Sequence, residues 1–370
     1  MRKLIALMVV ASLTVASAQD FVFGLNYDAG GKFDGSFNEG TFRGMERAIA
    51  ELTAGGLDIE LVEFEGTPET SAQGLRGMAA EGADLIVAPG FGQASSIAAV
   101  SAEYPDTAFV LIDSVVEAPN VRSVVFKEHE GSFLVGFIAG SLSQTGVVGF
   151  VGGMDIPLIR AFDSGYQQGV AAACPTCTVI SNYVGVTPSA WNDPARAKEL
   201  ATAQRAQGAD IIYAAAGASG NGVIDFVTET KCYQGETTRT TPLTAALASV
   251  PTYAAYDAAC PAGSQPLFFI GVDSNQNFMG DVDGNPATLN HGLTSMLKRV
   301  DTASYNAAYD VSNGTFSGGV MVLGLAEEGV GYAMDEYNAA LISAELLAEV
   351  EAISARIISG ELKVDDVRDQ

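Results

Sequence analysis

Asp28, Asp113 and Asp273 each follow an apolar, β-rich run: residues 21–27 lead to the first, 109–112 to the second and 268–272 to the third. The run 211–215 leads in the same way toward Gly217. A carboxylate in such a place can accept charge-assisted hydrogen bonds from the N–H or hydroxyl groups of a ligand. An aspartate after a strand is also a common helix N-cap, so a single one says little. Three from separate parts of the chain point to one kind of place, the carboxyl ends of strands, where open α/β sheets bind their ligands.

Asp28 opens a glycine-rich loop, Asp28-Ala-Gly-Gly-Lys-Phe-Asp34-Gly-Ser-Phe37-Asn38, that runs into a helix. It lacks the G-x-x-x-x-G-K-[ST] order of a phosphate cradle. Gly217-Ala-Ser-Gly220-Asn-Gly222 has the spacing GxxGxG, not the GxGxxG of a dinucleotide site. Glycines in these loops instead let the backbone approach a ligand and offer N–H donors at a helix start.

Short β-rich runs (21–27, 59–64, 85–88, 109–112, 147–151, 179–184, 211–215, 268–272) alternate with alanine-rich helical stretches. The helices are predicted at 37–52, 70–81, 95–104, 131–142, 158–172, 194–207 and 337–358. Such alternation predicts an α/β protein with parallel sheets covered by helices on both faces. Runs 59–64 and 179–184 carry polar residues, which places them nearer a sheet edge.

At 370 residues and 48% hydrophobic content the chain has material for about two domains. The net charge of −25 repels phosphate and anionic lipid, so nucleic-acid binding is excluded as a function class. Met1-Arg2-Lys3, the apolar run 4–16 and Ala16-Ser-Ala18 read as a secretory signal peptide over residues 1–18. No cysteine stands near the cut for lipid attachment, so an exported, freely diffusing periplasmic protein without membrane insertion is expected. Export puts Cys174, Cys177, Cys232 and Cys260 in an oxidising compartment, where disulfides are the default. Cys174–Cys177 with Cys232–Cys260 is the preferred pairing among three; a four-thiolate zinc site is disfavoured because a second CxxC is lacking.

The motifs just described, together with Phe126-Lys-Glu-His-Glu-Gly-Ser-Phe-Leu-Val-Gly136, Val-Gly-Phe-Val-Gly-Gly153, Trp191-Asn-Asp-Pro, Gly271-Val-Asp273-Ser-Asn-Gln276 and Leu293-Thr-Ser-Met-Leu-Lys298-Arg-Val-Asp301, resemble the basic membrane protein family. These are substrate-binding proteins of ABC importers, similar to the purine nucleoside receptor of spirochaetes. The resemblance runs from about residue 21 to 361. It implies a type I periplasmic binding protein fold: two Rossmann-like lobes joined by three crossover strands, with the ligand in the cleft. The first lobe is expected over 19–126 plus about 299–318, and the second over 127–298 plus about 319–370. A cysteine-bounded insertion at 232–266 departs from the simplest members.

Carried over by motif, Asp28 and Asn38 hydrogen-bond a purine base, Phe37 stacks on it and Asp113 reads its edge. Asp273 and Lys298 hold the ribose hydroxyls, and Lys298 is expected to pair with a carboxylate such as Asp273. Trp191 and Tyr213 are the candidates for a second stacking aromatic, and Gly217 belongs to the same site. Three carboxylates facing one cleft repel phosphate, which favours nucleosides over nucleotides. The implied partners are a small-molecule ligand and a permease with its ATPase; a monomer without a cofactor is expected. The alternatives are another heterocycle such as riboflavin, or a Ca²⁺-dependent nucleoside hydrolase using Asp28, Asp34 and Asp113. His129, read as solvated, and His291 are the only histidines, and no G-x-S-x-G or metal-binding His spacing accompanies them.

Overall fold

The structure is a computed structural model that describes residues 20–235 and 237–369. The expected signal peptide at 1–18 lies outside the described residues. The chain opens with β1 (Phe21–Tyr27), α1 (Phe37–Ala54), β2 (Ile59–Glu65), α2 (Ser71–Ala80), β3 (Leu85–Pro89), α3 (Ala94–Glu103), β4 (Ala108–Ile112) and β5 (Val121–Phe126). It continues with α4 (Glu128–Leu142), β6 (Val147–Met154), α5 (Pro157–Ala173), β7 (Thr178–Gly185), α6 (Pro194–Ala206), β8 (Ile211–Ala215) and α7 (Asn221–Thr230). The insertion holds β9 (Cys232–Tyr233), α8 (Pro242–Leu247), α9 (Ala254–Ala259) and β10 (Gln265–Pro266). There follow β11 (Phe268–Asp273), β12 (Gly292–Lys298), α10 (Val300–Ser312), β13 (Gly319–Leu323), β14 (Val330–Tyr332) and α11 (Ala344–Ile358).

Two six-stranded sheets result, in the orders β13-β5-β4-β3-β1-β2 and β14-β12-β11-β8-β6-β7. All neighbours are parallel except β14, which runs against β12. Buried Val, Ile, Leu and Phe fill the central strands, as helices on both faces require. The two runs interrupted by polar residues, β2 and β7, are outermost strands. The fold is α/β with parallel sheets, of the kind the alternating pattern predicts.

Several elements were not legible. β5 carries Arg122 and Ser123 within its run, and α10 begins where the pattern of β12 stops. The last helix starts at Ala344, not 337, because Ser343 caps it by accepting from the Leu346 amide (3.2 Å). β13 pairs with β5 from Arg122 to Phe126 and so joins the first sheet, although the second lobe is expected to resume at about 319. The chain therefore returns to the second lobe only after Leu323.

Three crossings connect the lobes: Phe126 to Glu128, Lys298 to Val300, and Leu323 to Val330. They lie side by side, since the Lys127 amide donates to the Leu323 carbonyl and the Arg299 amide to the Gly329 carbonyl, both at 2.9 Å. Two disulfides, Cys174–Cys177 and Cys232–Cys260, match the preferred pairing and occupy every thiol of the chain.

α4 and α5 approach so closely that only glycine fits between them. A Cβ on Gly136 would overlap the Tyr166 carbonyl, and one on Gly169 would overlap the Phe133 carbonyl. This contact positions the site, because α4 starts at the first crossing and α5 carries Phe162. Helix propensity alone makes Gly169→Ala stabilising by about 0.5–1 kcal/mol. The packing reverses the sign: overpacking of this kind typically costs about 1–3 kcal/mol, so urea denaturation is expected to give a net loss.

Candidate functional site

The carboxyl ends of the two sheets face each other across a cavity. The first lobe lines it with Asp28, Phe37, Asn38, Gly90, Phe91 and Asp113 among others. The second contributes Leu158, Ile159, Phe162, Trp191, Gly217, Asp273 and Lys298. The eight ligand-binding candidates of the sequence thus share one cavity. Tyr213 does not line it; it is buried against Phe150 and Tyr166.

The glycine-rich loop is held from within. Asp34 accepts from the amides of Ser36 (2.8 Å), Asn38 (2.9 Å) and Glu39 (3.1 Å), so it satisfies the orphan donors at the start of α1. That fixes Phe37 as the first helical residue, with its ring on the cavity. The Asn38 amide grips the Asp28 backbone on both sides, accepting from its N–H (3.2 Å) and donating to its carbonyl (3.4 Å). Gly90 is required opposite: its φ is +113°, and a Cβ there would overlap the Asp28 carboxylate.

Asp113 and Asp273 close β4 and β11 with left-handed φ values of 73° and 62°. Non-glycine residues adopt this conformation at a cost, and such strain gathers at functional sites. The Ser36 hydroxyl donates to Asp273 (2.8 Å) across the lobes, and the Gln276 side chain donates to the Gly35 carbonyl (3.0 Å). The lobes are therefore closed on each other.

Lys298, at the end of β12, is only 2% exposed. Its ammonium lies 2.6 Å from Asp113 and 3.2 Å from Glu128. This corrects the expected pairing: Asp113, not Asp273, is the carboxylate held by Lys298. The rings of Phe126, Phe37 and Phe162 surround the ammonium at 5.1, 5.2 and 5.5 Å, close enough for cation–π attraction. On the other wall, a one-turn helix (Pro188–Trp191) presents Trp191. Its indole packs flush against Gly153, where a Cβ would overlap the ring, and reaches Gly217 at ordinary contact distance.

Burial pushes Asp28 up to about 6. Asp273 is likewise raised to about 6 by burial, with the Lys298 charge pulling it back in part. Burial alone would lower Lys298, but Asp113, Glu128 and Asp273 together hold it up at about 12. The cation is permanent, and the carboxylates around it are poorly hydrated.

Phe91 and Phe162, which line the cavity, and Glu128, which pairs with Lys298, were missed in the sequence. Glu128 stands within the motif that begins at Phe126, yet nothing local marks it as buried. His129, expected to be solvated, is 7% exposed and lies 3.3 Å from Asp366. His291 is also buried, between the Tyr253 hydroxyl and the Leu267 carbonyl (both 2.7 Å), and does not line the cavity.

Two α/β lobes closed over a cavity at their strand ends define a solute-binding protein of the periplasmic binding protein type. A solved ABC solute-binding protein from Aeropyrum pernix is similar over 94% of this chain and 95% of its own, with a TM-score of 0.73 and 27% identity. Residues 25–367 match the family model described as ABC transporter substrate-binding protein PnrA-like, and the chain belongs to this Bmp family. The CD4+ T-cell-stimulating antigen of Listeria monocytogenes is 30% identical, covering 95% of this chain and 89% of its own. The ABC transporter nucleoside-binding protein BmpA of Lactococcus lactis is 26% identical, covering 89% and 86%.

A carboxyl raised from 3.8 to about 6 stabilises the fold fully below the unfolded value and loses that contribution as pH rises through 6. Asp273→Asn removes the poorly hydrated charge. The variant is expected to raise the melting temperature of the ligand-free protein at pH 7.5 and to change it little at pH 4.5. Equal effects at both values would show that Asp273 ionises as if in water.

Proposed function

We propose that the protein captures a purine nucleoside in this cavity and delivers it to an ABC permease with its ATPase, after export to the periplasm through a cleaved signal peptide. The observation that carries the reading is the meeting of Phe37, Trp191, Asp28, Asp113, Asp273 and Lys298 in a single interlobe cavity. A nucleoside is a flat, uncharged base on a hydroxyl-rich sugar. Phe37 and Trp191 supply aromatic faces for the base. Asp28, held by Asn38, accepts from its N–H donors, and Gly217 admits it to the second lobe. Asp273 accepts from ribose hydroxyls, and Lys298 donates to them. Because Lys298 binds Asp113, we assign Asp113 to the sugar end in place of the base edge.

The hydrolase alternative loses support from the loop itself. Asp34 already accepts three backbone N–H bonds and Asp113 is bound to Lys298, so neither is free to coordinate a calcium ion. A different heterocycle stays within the same chemistry of stacking and hydroxyl recognition.

Calorimetry on the mature protein with guanosine, adenosine, inosine and their monophosphates tests the reading. Nucleosides are expected to bind at micromolar or tighter Kd, and monophosphates at least tenfold more weakly, since the carboxylates oppose phosphate. Phe37→Ala and Asp273→Asn are each expected to weaken binding more than tenfold while circular dichroism stays unchanged. Equal binding of nucleoside and monophosphate would refute the carboxylate argument, and release of free base would restore the enzyme.

A further inference from the structure

The closing residues of the chain return to the lobe junction. Beyond α11 the segment packs with Val364 buried, and Asp365 exchanges two hydrogen bonds with Gln168 of α5, both at 2.9 Å. Arg368 then reaches inward. Its Nε donates to Asp366 (2.9 Å), its Nη2 to the Phe126 carbonyl at the first crossing (3.2 Å), and its Nη1 lies 2.9 Å from Glu128. Glu128 is fully buried, and neither of its oxygens finds a well-angled hydrogen-bond donor. Its charge rests on two cations: Lys298 on the cavity side and Arg368 on the outer side.

Lys298 is thus a single ammonium claimed by Asp113, Glu128 and the nearby charge of Asp273. A buried carboxylate deprived of one cation draws harder on the other, because low local polarity strengthens every charge interaction. We propose that Arg368 is a positioning residue for the ligand cavity: by neutralising Glu128 from outside, it leaves Lys298 on Asp113 and facing the ligand. Arg368 touches no ligand itself. It works through Glu128, and its planar guanidinium suits the task by serving Asp366, the Phe126 carbonyl and Glu128 at once. The C-terminal segment thereby becomes part of the binding machinery.

The inference rests on the nucleoside reading for its ligand, and the test separates the two. Guanosine, adenosine and inosine affinities are measured by calorimetry for wild type, R368Q, R368K, E128Q and E128Q/R368Q. R368Q is expected to weaken binding of the preferred nucleoside about tenfold or more, and R368K to recover part of that loss, since the charge returns without the three-way reach of the guanidinium. E128Q/R368Q is expected to bind within about threefold of E128Q, because with Glu128 neutral no carboxylate competes for Lys298. Additive losses in the double variant, or an R368K as weak as R368Q, would overturn the proposal. The same cycle in melting temperature needs no ligand: E128Q should cancel the loss caused by R368Q. If the wild type binds no nucleoside, the functional reading fails, and this second cycle still decides the charge exchange. Should R368Q alone not fold, a folded E128Q/R368Q supports the proposal and an unfolded one refutes it.

Discussion

One buried ammonium organises the junction of this molecule. Lys298 ends β12 at the second crossing, Glu128 begins α4 at the first, and Asp113 ends β4 in the opposite lobe; the three meet within salt-bridge distance. Burying a charge is costly unless it is paired, and a pair stripped of one partner is worse than none. The lobes therefore have an electrostatic reason to adopt one mutual arrangement, and the cavity is built beside it. Phe37, Phe126 and Phe162 surround the same ammonium, so aromatic wall and charge cluster are parts of one construction.

Much of this was legible because it depends on local pattern. Continuous apolar runs announced buried parallel strands, and polar interruptions in β2 and β7 announced edges. Aspartates at strand ends marked the cavity, since strand termini in such sheets point to one side. What escaped depends on contacts distant in sequence. Arg368 lies 240 positions from Glu128, and no spacing rule links them. The partner of Lys298 was misjudged for a related reason: Asp273 and Asp113 occupy matching places in the two lobes, and only three-dimensional register distinguishes them. β13 is as short and as apolar as β4, but it is an exposed edge strand whose partner β5 lies about 200 positions away, so its place in the first sheet has no local signal.

The site also shows stability exchanged for recognition. Asp113 and Asp273 hold left-handed backbone conformations, and Asp28 and Asp273 ionise only against their burial. The strained backbones and the buried charges each cost stability taken alone. They are sustained by the surrounding frame, in which Asp34 satisfies the start of α1, Asn38 grips Asp28, and glycines at α4–α5 allow rigid packing beneath the second wall. A rigid frame keeps the carboxylates in position before any ligand arrives, so binding does not have to order them.

The side-by-side crossings have a mechanical corollary. Three short tethers joined by backbone hydrogen bonds let one lobe swing about their common line and resist sliding or twisting. The rims on either side of the mouth consequently travel along a single arc, with one spacing when shut. A transmembrane receiver can tell a laden carrier from an empty one by the distance between those rims, without ever touching the cargo.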